Sequence, residues 1–295
     1  MDTMGRVEHR GLDGQGFIER EGSFARIGAE FQGLVADARD RIVKTYGRRL
    51  HSAYLYGSLP RGTARPGRSD LDLLLALHGE PTAADREAAA DLAADLDSAH
   101  PVVDGVGLLL FGKERLLSEA ERYDLGWFVA CLCTPLLGAD LAEHLPRYRP
   151  DALLARETNG DLADLLPKLR QRIAEAERAG AGTVAVAGVT GSGAGGPGDA
   201  AYRRLVRGWS RQLVRTAFTL VMPRWGGWTS DLGRQAEAFA EYYPERAGQL
   251  REAARLALEP TADPAVLHAY AEDLGPWLAA EYAAVIGVKS PRPAG

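Results

Sequence analysis

From Phe24 onward, apolar residues recur at helical spacing: Ile27, Phe31, Leu34, Val35, Ala38, Ile42 and Val43 share one side of a 3.6-residue repeat. The pattern predicts a helix ending near Tyr46-Gly47, where glycine can adopt a capping conformation. Two short apolar runs follow, at about Ala53–Tyr56 and Leu71–Leu77, and read as strands. The Ala-rich stretch from Thr82 to Ala99 reads as a helix with Thr82 as its N-cap. A third strand is expected from about Val102 to Phe111. Ahead of these elements, residues up to about Glu21 are polar and glycine-containing and read as an extended arm.

Beyond Tyr123 the pattern is almost wholly helical. The candidate helices are Asp124–Leu137, Asp151–Ala179, Tyr202–Met222, Ser230–Tyr242, Pro244–Leu258 and Pro264–Ile286. The stretch Gly180–Gly198 interrupts them with alternating small residues and many glycines. Glycine loops can cradle phosphate through backbone N–H groups. This one has no Lys followed by Ser or Thr, so the P-loop reading fails and a flexible linker is the plainer reading. Helix–strand–strand–helix–strand followed by helices defines an α+β chain: a small mixed sheet backed by helices, then an all-α bundle. A length of 295 residues fits two domains, which we set at 1–140 and 141–295.

Composition narrows the function. The formal net charge is −5, with 40 acidic and 35 basic residues. That balance argues against broad nucleic-acid binding, which calls for a strongly basic face. It suits an enzyme of small molecules, and an acidic cleft would attract a cationic acceptor. No apolar run reaches the roughly 18–20 residues of a membrane-spanning helix. The N-terminus lacks the basic-then-apolar pattern of a signal peptide, so the chain reads as cytoplasmic. The two cysteines, Cys131 and Cys133, sit in an apolar stretch without further metal-ligand residues nearby and read as packed thiols.

The candidate chemistry lies between the first two strands. Tyr54-Leu55-Tyr56 leads into Gly57-Ser58, a loop rich in Gly and Arg follows, and Ser69-Asp70-Leu71-Asp72 opens the second strand. Alternate strand residues share a face, so Asp70 and Asp72 project together while Leu71 and Leu73 point into the core. Paired carboxylates make half of a Mg²⁺ site, because Mg²⁺ takes hard oxygen ligands and shares them with substrate phosphates. Gly57 lets the backbone approach a phosphate closely, and Ser58 can donate a hydrogen bond to it.

This ordered combination resembles the signature of the DNA polymerase β-type nucleotidyltransferase superfamily. Its spelling here, Tyr56-Gly57-Ser58 followed by Ser69-Asp70-Leu71-Asp72-Leu73-Leu74, is most similar to the aminoglycoside adenylyltransferases of the streptomycin/spectinomycin type. The resemblance implies a polymerase β-like N-terminal domain, a C-terminal helical bundle and antibiotic resistance as a biological setting. It also implies transfer of AMP from ATP to a small-molecule hydroxyl, with release of pyrophosphate and two Mg²⁺ ions. Asp70 and Asp72 would hold the metals, and Gly57 and Ser58 the triphosphate.

The superfamily adds a third carboxylate from the next strand, as metal ligand or base. Asp104 is the only acid near that strand, and we assign it the role. If the strand is registered on its apolar run, Gly107 falls there instead, and the chain would bind a nucleotide without transferring it. Asp104 and Gly107 point to opposite faces of a regular strand, unless a bulge at Gly105 intervenes. Arg204, Arg207, Arg211 and Arg215 form a helical stripe, overlapped by Arg203, Arg207 and Arg211. The family has an Arg near the start of the corresponding helix, so Arg203 and Arg207 are taken as triphosphate contacts across from the sheet. The alternative is a solvated basic face. Arg61, Arg65 and Arg68 receive no specific role. Trp225 and Trp228 could stack on a sugar or base, but packing is the plainer reading.

Overall fold

The structure is a computed structural model that describes residues 10–184 and 197–292. Most of the Gly180–Gly198 stretch, and with it the linker expectation, lies outside the described residues. The described residues divide into two compact units, one of residues 11–149 with Arg292, the other of Arg10 and residues 150–291. No helix among the described residues is long and apolar enough to cross a membrane.

The first unit follows the expected order. Helix α1 (Gln32–Tyr46) leads to strand β1 (Leu50–Tyr56), a single helical turn α2 (Ser58–Arg61), strand β2 (Leu71–Leu77) and helix α3 (Ala83–Ala99). Strand β3 (Val106–Gly112), the turn α4 (Lys113–Leu116) and strand β4 (Thr134–Gly138) complete it. The sheet order is β3-β2-β1-β4; β1 runs antiparallel to β2 and β4, while β2 and β3 are parallel. The parallel pair needs a crossover, which α3 supplies. Thr82 caps α3: its hydroxyl accepts from Asp85 N, and the Asp85 carboxylate accepts from Thr82 N. That is a capping box with Asp in place of the usual Glu.

Apart from Asp72, strand β2 is apolar because both of its faces are covered. Leu71, Leu73, Leu75 and Leu77 pack with Leu34, Val35, Ala38 and Ile42 of α1 and Leu92 and Leu96 of α3. Leu74 and Ala76 pack on the other side with Tyr54, Leu116, Val129, Cys133 and Leu141. Both cysteines are free and buried, and burial pushes the Cys131 thiol up to about 12, as packed thiols require.

Three expectations are corrected. The third strand begins at Val106, not Val102, because residues 101–104 form a turn. The expected helix Asp124–Leu137 is two π-helical turns, Arg122–Gly126 and Phe128–Leu132, followed by β4. Pro135 disfavours continued helix, and pairing with β1 claims the residues after it. The polar arm is tied down rather than simply extended: Ile18 N donates to Tyr148 O at 2.8 Å and Glu21 N to Cys131 O at 3.0 Å.

The second unit is helical: α5 (Ala152–Asn159), α6 (Leu162–Val184), α7 (Pro197–Trp225), α8 (Leu232–Ala240), α9 (Ala247–Leu256), α10 (Pro264–Ala269) and α11 (Gly275–Val285). The single helix expected over Asp151–Ala179 is broken at Gly160, and a π-helical turn, Tyr270–Leu274, separates α10 from α11. Its core is drawn from α6, α7, α9 and α11, including Leu169, Leu213, Val214, Leu250 and Leu278. Trp225 and Trp228 are buried and each packs edge-on to Phe218 at 5.6 Å, so packing accounts for both.

Candidate nucleotide and metal site

The site is built at the ends of β1 and β2. The β1–β2 ladder runs to Tyr56↔Asp72, so the chain leaves β1 beside Asp72. Gly57 then takes φ 78° and ψ −148°, a conformation open to glycine and strained for other residues. The glycine is needed for space as well. A Cβ there would overlap Asp72 Oδ2 and stand 3.2 Å from its Cγ. The Asp72 carboxylate therefore rests directly on the Gly57 backbone, and Ser58 follows at the start of the α2 turn.

The loop after α2 is organised by its own backbone. Arg65 N donates to Ser69 Oγ at 2.9 Å, and Ser69 N donates to Arg65 O at 3.0 Å. Gly67 N bonds Val102 O at 2.8 Å, Asp104 N bonds Ser69 O at 3.0 Å and Leu71 N bonds Gly105 O at 2.9 Å. These bonds carry the β2–β3 pairing back through the segment that bears Asp70. Asp70 and Asp72 are half-buried, while Leu71 between them is fully buried. Leu71 and Leu73 enter the core, and Asp70 immediately precedes β2, its Oδ1 3.5 Å from where a Cβ on Gly105 would stand.

Gly107 stands in register with Asp72 across the parallel β2–β3 pair. The register is unbroken from Leu71↔Val106 to Leu77↔Gly112, so no bulge turns Asp104 onto the strand. Asp104 lies in the segment before β3. Among the described residues, no group of three or more His, Cys, Asp or Glu side chains could hold a metal ion. Pairing with β2 begins at Val106 and puts Gly107 opposite Asp72, while Asp104 lies before the strand with its backbone N–H on Ser69 O. Sequence reasoning gave Tyr56 no role beyond its place in the motif; it pairs with Asp72 in the β1–β2 ladder and packs edge-on to Phe128 at 5.0 Å. Sequence reasoning also passed over the match between Asp70-Leu71-Asp72 and Gly105-Val106-Gly107, whose equal spacing foreshadows the register.

The donor set fits Mg²⁺. Mg²⁺ is held by one or two carboxylates plus waters and substrate phosphates rather than by an all-protein cage, and two half-exposed carboxylates beside a glycine turn supply that share. The arginines lie in the other unit, on α7. Arg203 is exposed and Arg207 half-buried. Arg204 belongs to a groove of about 630 Å³ between α6 and α7, with Lys168, Arg172, Glu175 and Trp209.

Residues 39–121, from within α1 to just beyond α4, match the family model of the nucleotidyltransferase domain. This segment, with its mixed sheet and Gly57-Ser58…Asp70-Leu71-Asp72 motif, is identified as such a domain. Among solved structures the chain is similar to the spectinomycin adenyltransferase AAD(9) from Enterococcus faecialis, crystallised with ATP and spectinomycin. The identity is 14%, the match covers 84% of this chain and 97% of that one, and the TM-score is 0.46. No curated protein matches the chain.

Proposed function

We propose that this protein transfers AMP from ATP to a hydroxyl of a small molecule and releases pyrophosphate, with Mg²⁺ held by Asp70 and Asp72. The observation that carries the reading is the Asp72 carboxylate seated against Gly57, with Asp70 two residues earlier at the entry to β2. Bound Mg²⁺ supplies charge neutralisation for the triphosphate and the departing pyrophosphate. Gly57 gives the triphosphate close access to the backbone, and Ser58 donates to it. Arg203 and Arg207 are proposed as further triphosphate contacts.

In the step itself, the acceptor oxygen bonds to the α-phosphorus and the bond from that phosphorus to the β-bridging oxygen breaks. Pyrophosphate leaves with the electron pair, and the hydroxyl proton passes to a base. Asp104 is proposed as that base rather than as a metal ligand. The motif's likeness to the aminoglycoside adenylyltransferases supports an aminoglycoside or related natural product as acceptor, and a cytoplasmic setting. Pyrophosphate release from ATP and Mg²⁺ over a panel of such acceptors tests the activity. Asp72→Asn is expected to abolish release and Mg²⁺-dependent ATP binding; a folded Asp72→Asn protein with unchanged Mg²⁺ dependence would rule the reading out.

A second reading rests on one observation, Gly107 opposite Asp72. With no acid on β3 at that level, the domain would hold Mg²⁺–nucleotide without transferring it. ATP binding with no pyrophosphate release across the whole panel would favour it.

A further inference from the structure

Gly107 is a costly residue where it stands. Up to the glycine that ends it, Gly112, strand β3 otherwise reads Val106, Leu108, Leu109, Leu110 and Phe111, and glycine inside a strand gives up both backbone entropy and packing. Backbone conformation does not ask for it, because Gly107 is absent from the glycines with positive φ. A strand glycine of this kind marks a place where another group must come close. Here that group is Asp72. A Cβ built on Gly107 would meet Asp72 Oδ1 at 3.1 Å, and no other atom within 4 Å. Strands β1 and β3 flank β2 on opposite sides, so Gly57 meets Oδ2 from one side and Gly107 meets Oδ1 from the other.

We infer that Gly107 is a positioning residue: Gly57 and Gly107 form a two-sided clasp that fixes the Asp72 carboxylate in its metal-binding orientation. This rests on the proposed metal role of Asp72. A methyl group at 107 must push Oδ1 by a few tenths of an ångström, and Gly57 blocks the retreat. The carboxylate then has to rotate out of line with Asp70. Hard-ion sites tolerate such error poorly, since Mg²⁺ demands near-ideal octahedral geometry. The clasp also gives Gly107 a meaning other than a lost acid. On that alternative, Gly107→Asp would install a missing ligand and strengthen Mg²⁺ binding. On the clasp, Gly107→Asp crowds Asp72 and weakens it.

The test is titration of Mg²⁺–ATP into the wild-type protein, Gly107→Ala, Gly107→Asp and Asp72→Asn, with thermal melts of each. The clasp requires at least a tenfold weaker Kd for both Gly107 variants. Wild-type affinity in Gly107→Ala, or tighter binding in Gly107→Asp, overturns it while Asp72→Asn remains defective and the metal reading stands. Unchanged binding in Asp72→Asn overturns both together. If Gly107→Ala is too unstable to titrate, Asp72→Ala is combined with it. The clasp then requires the Tm lost through Gly107→Ala to be largely restored once the carboxylate is gone, because the two residues are coupled by contact. The same loss of Tm in both backgrounds overturns it.

Discussion

His100 Nε2 lies 2.7 Å from Asp37 Oδ2, a bond that ties the C-cap of α3 to the middle of α1. Arg41 Nε donates to the other oxygen of Asp37 at 2.8 Å. The Arg41 hydrogen bond, and after it the His100 bond, hold the Asp37 carboxyl below its ordinary value of 3.8. A depressed folded value means stability that is present above the unfolded pKa and lost as pH falls through the folded one. Asp37→Asn should therefore cost about 1 kcal/mol at pH 7, the discount reflecting partial exposure. That cost should shrink as pH drops below roughly 4. Urea unfolding of both proteins at pH 7 and pH 3 reads it, and an equal difference at the two pH values counts against the linkage.

What was legible in the sequence was local. The α1 stripe, the Thr82 cap, and the strand alternation that separates Asp70 and Asp72 from Leu71 and Leu73 each depend on neighbours within a few residues. What was not legible depended on pairing between distant segments. Strand β4 has apolar residues that suit either helix or strand, and its ladder with β1 decides between them. The start of β3 was equally undetermined. Because side chains alternate with period two, the choice between Asp104 and Gly107 hinged on register, and register is set by the partner strand. The site motif was readable because a glycine turn and an alternating acid pair are both written within single strands and their ends.

The capping box of α3 carries more than helix initiation. Asp85 Oδ2 accepts from Thr82 N at 2.7 Å and from Arg49 Nη2 at 2.7 Å, and Asp85 O accepts from the Tyr46 hydroxyl at 3.0 Å. Removing the side chain frees the Thr82 backbone donor and the Arg49 guanidinium together, but leaves the Tyr46 bond. Asp85→Ala should lower stability by roughly 1–2 kcal/mol. Asp85→Asn, which still presents an acceptor, should recover part of that loss. The urea midpoints of the two variants and the wild type measure both; an Asp85→Ala midpoint equal to that of the wild type would mean that the ion pair and cap contribute nothing beyond the apolar contacts of α3.

Arg203 and Arg207 offer a test of the triphosphate contacts that is separate from the metal. Replacing both with alanine should weaken Mg²⁺–ATP binding by about 1.5–3 kcal/mol for each charge-assisted hydrogen bond lost. Arg204, which lines the α6–α7 groove, provides the comparison, and Arg204→Ala should bind as the wild type does. If the double variant and Arg204→Ala bind alike, the helix α7 arginines are a solvated face and the triphosphate is held by other groups.

Asp104 separates transfer from binding. Its backbone N–H is fixed to Ser69 O at 3.0 Å, one residue before Asp70, yet its own position precedes β3 and so stands outside the Asp72↔Gly107 register. On the proposed function Asp70 and Asp72 hold the metal without it, so Asp104→Ala should leave the Kd for Mg²⁺–ATP within about threefold, a change of under 1 kcal/mol. The acceptor hydroxyl must still lose its proton, and a positioned base contributes 10²–10⁴-fold to such a step. Turnover of Asp104→Ala should fall by about that factor, and the loss should be smaller at high pH, where hydroxide and partly ionised acceptors take over the base's task. A fall that is the same at every pH points to misplacement of the Asp70 loop instead. Unchanged turnover assigns the proton to a group other than Asp104, and a matching fall in Mg²⁺ affinity would restore its role as a metal ligand.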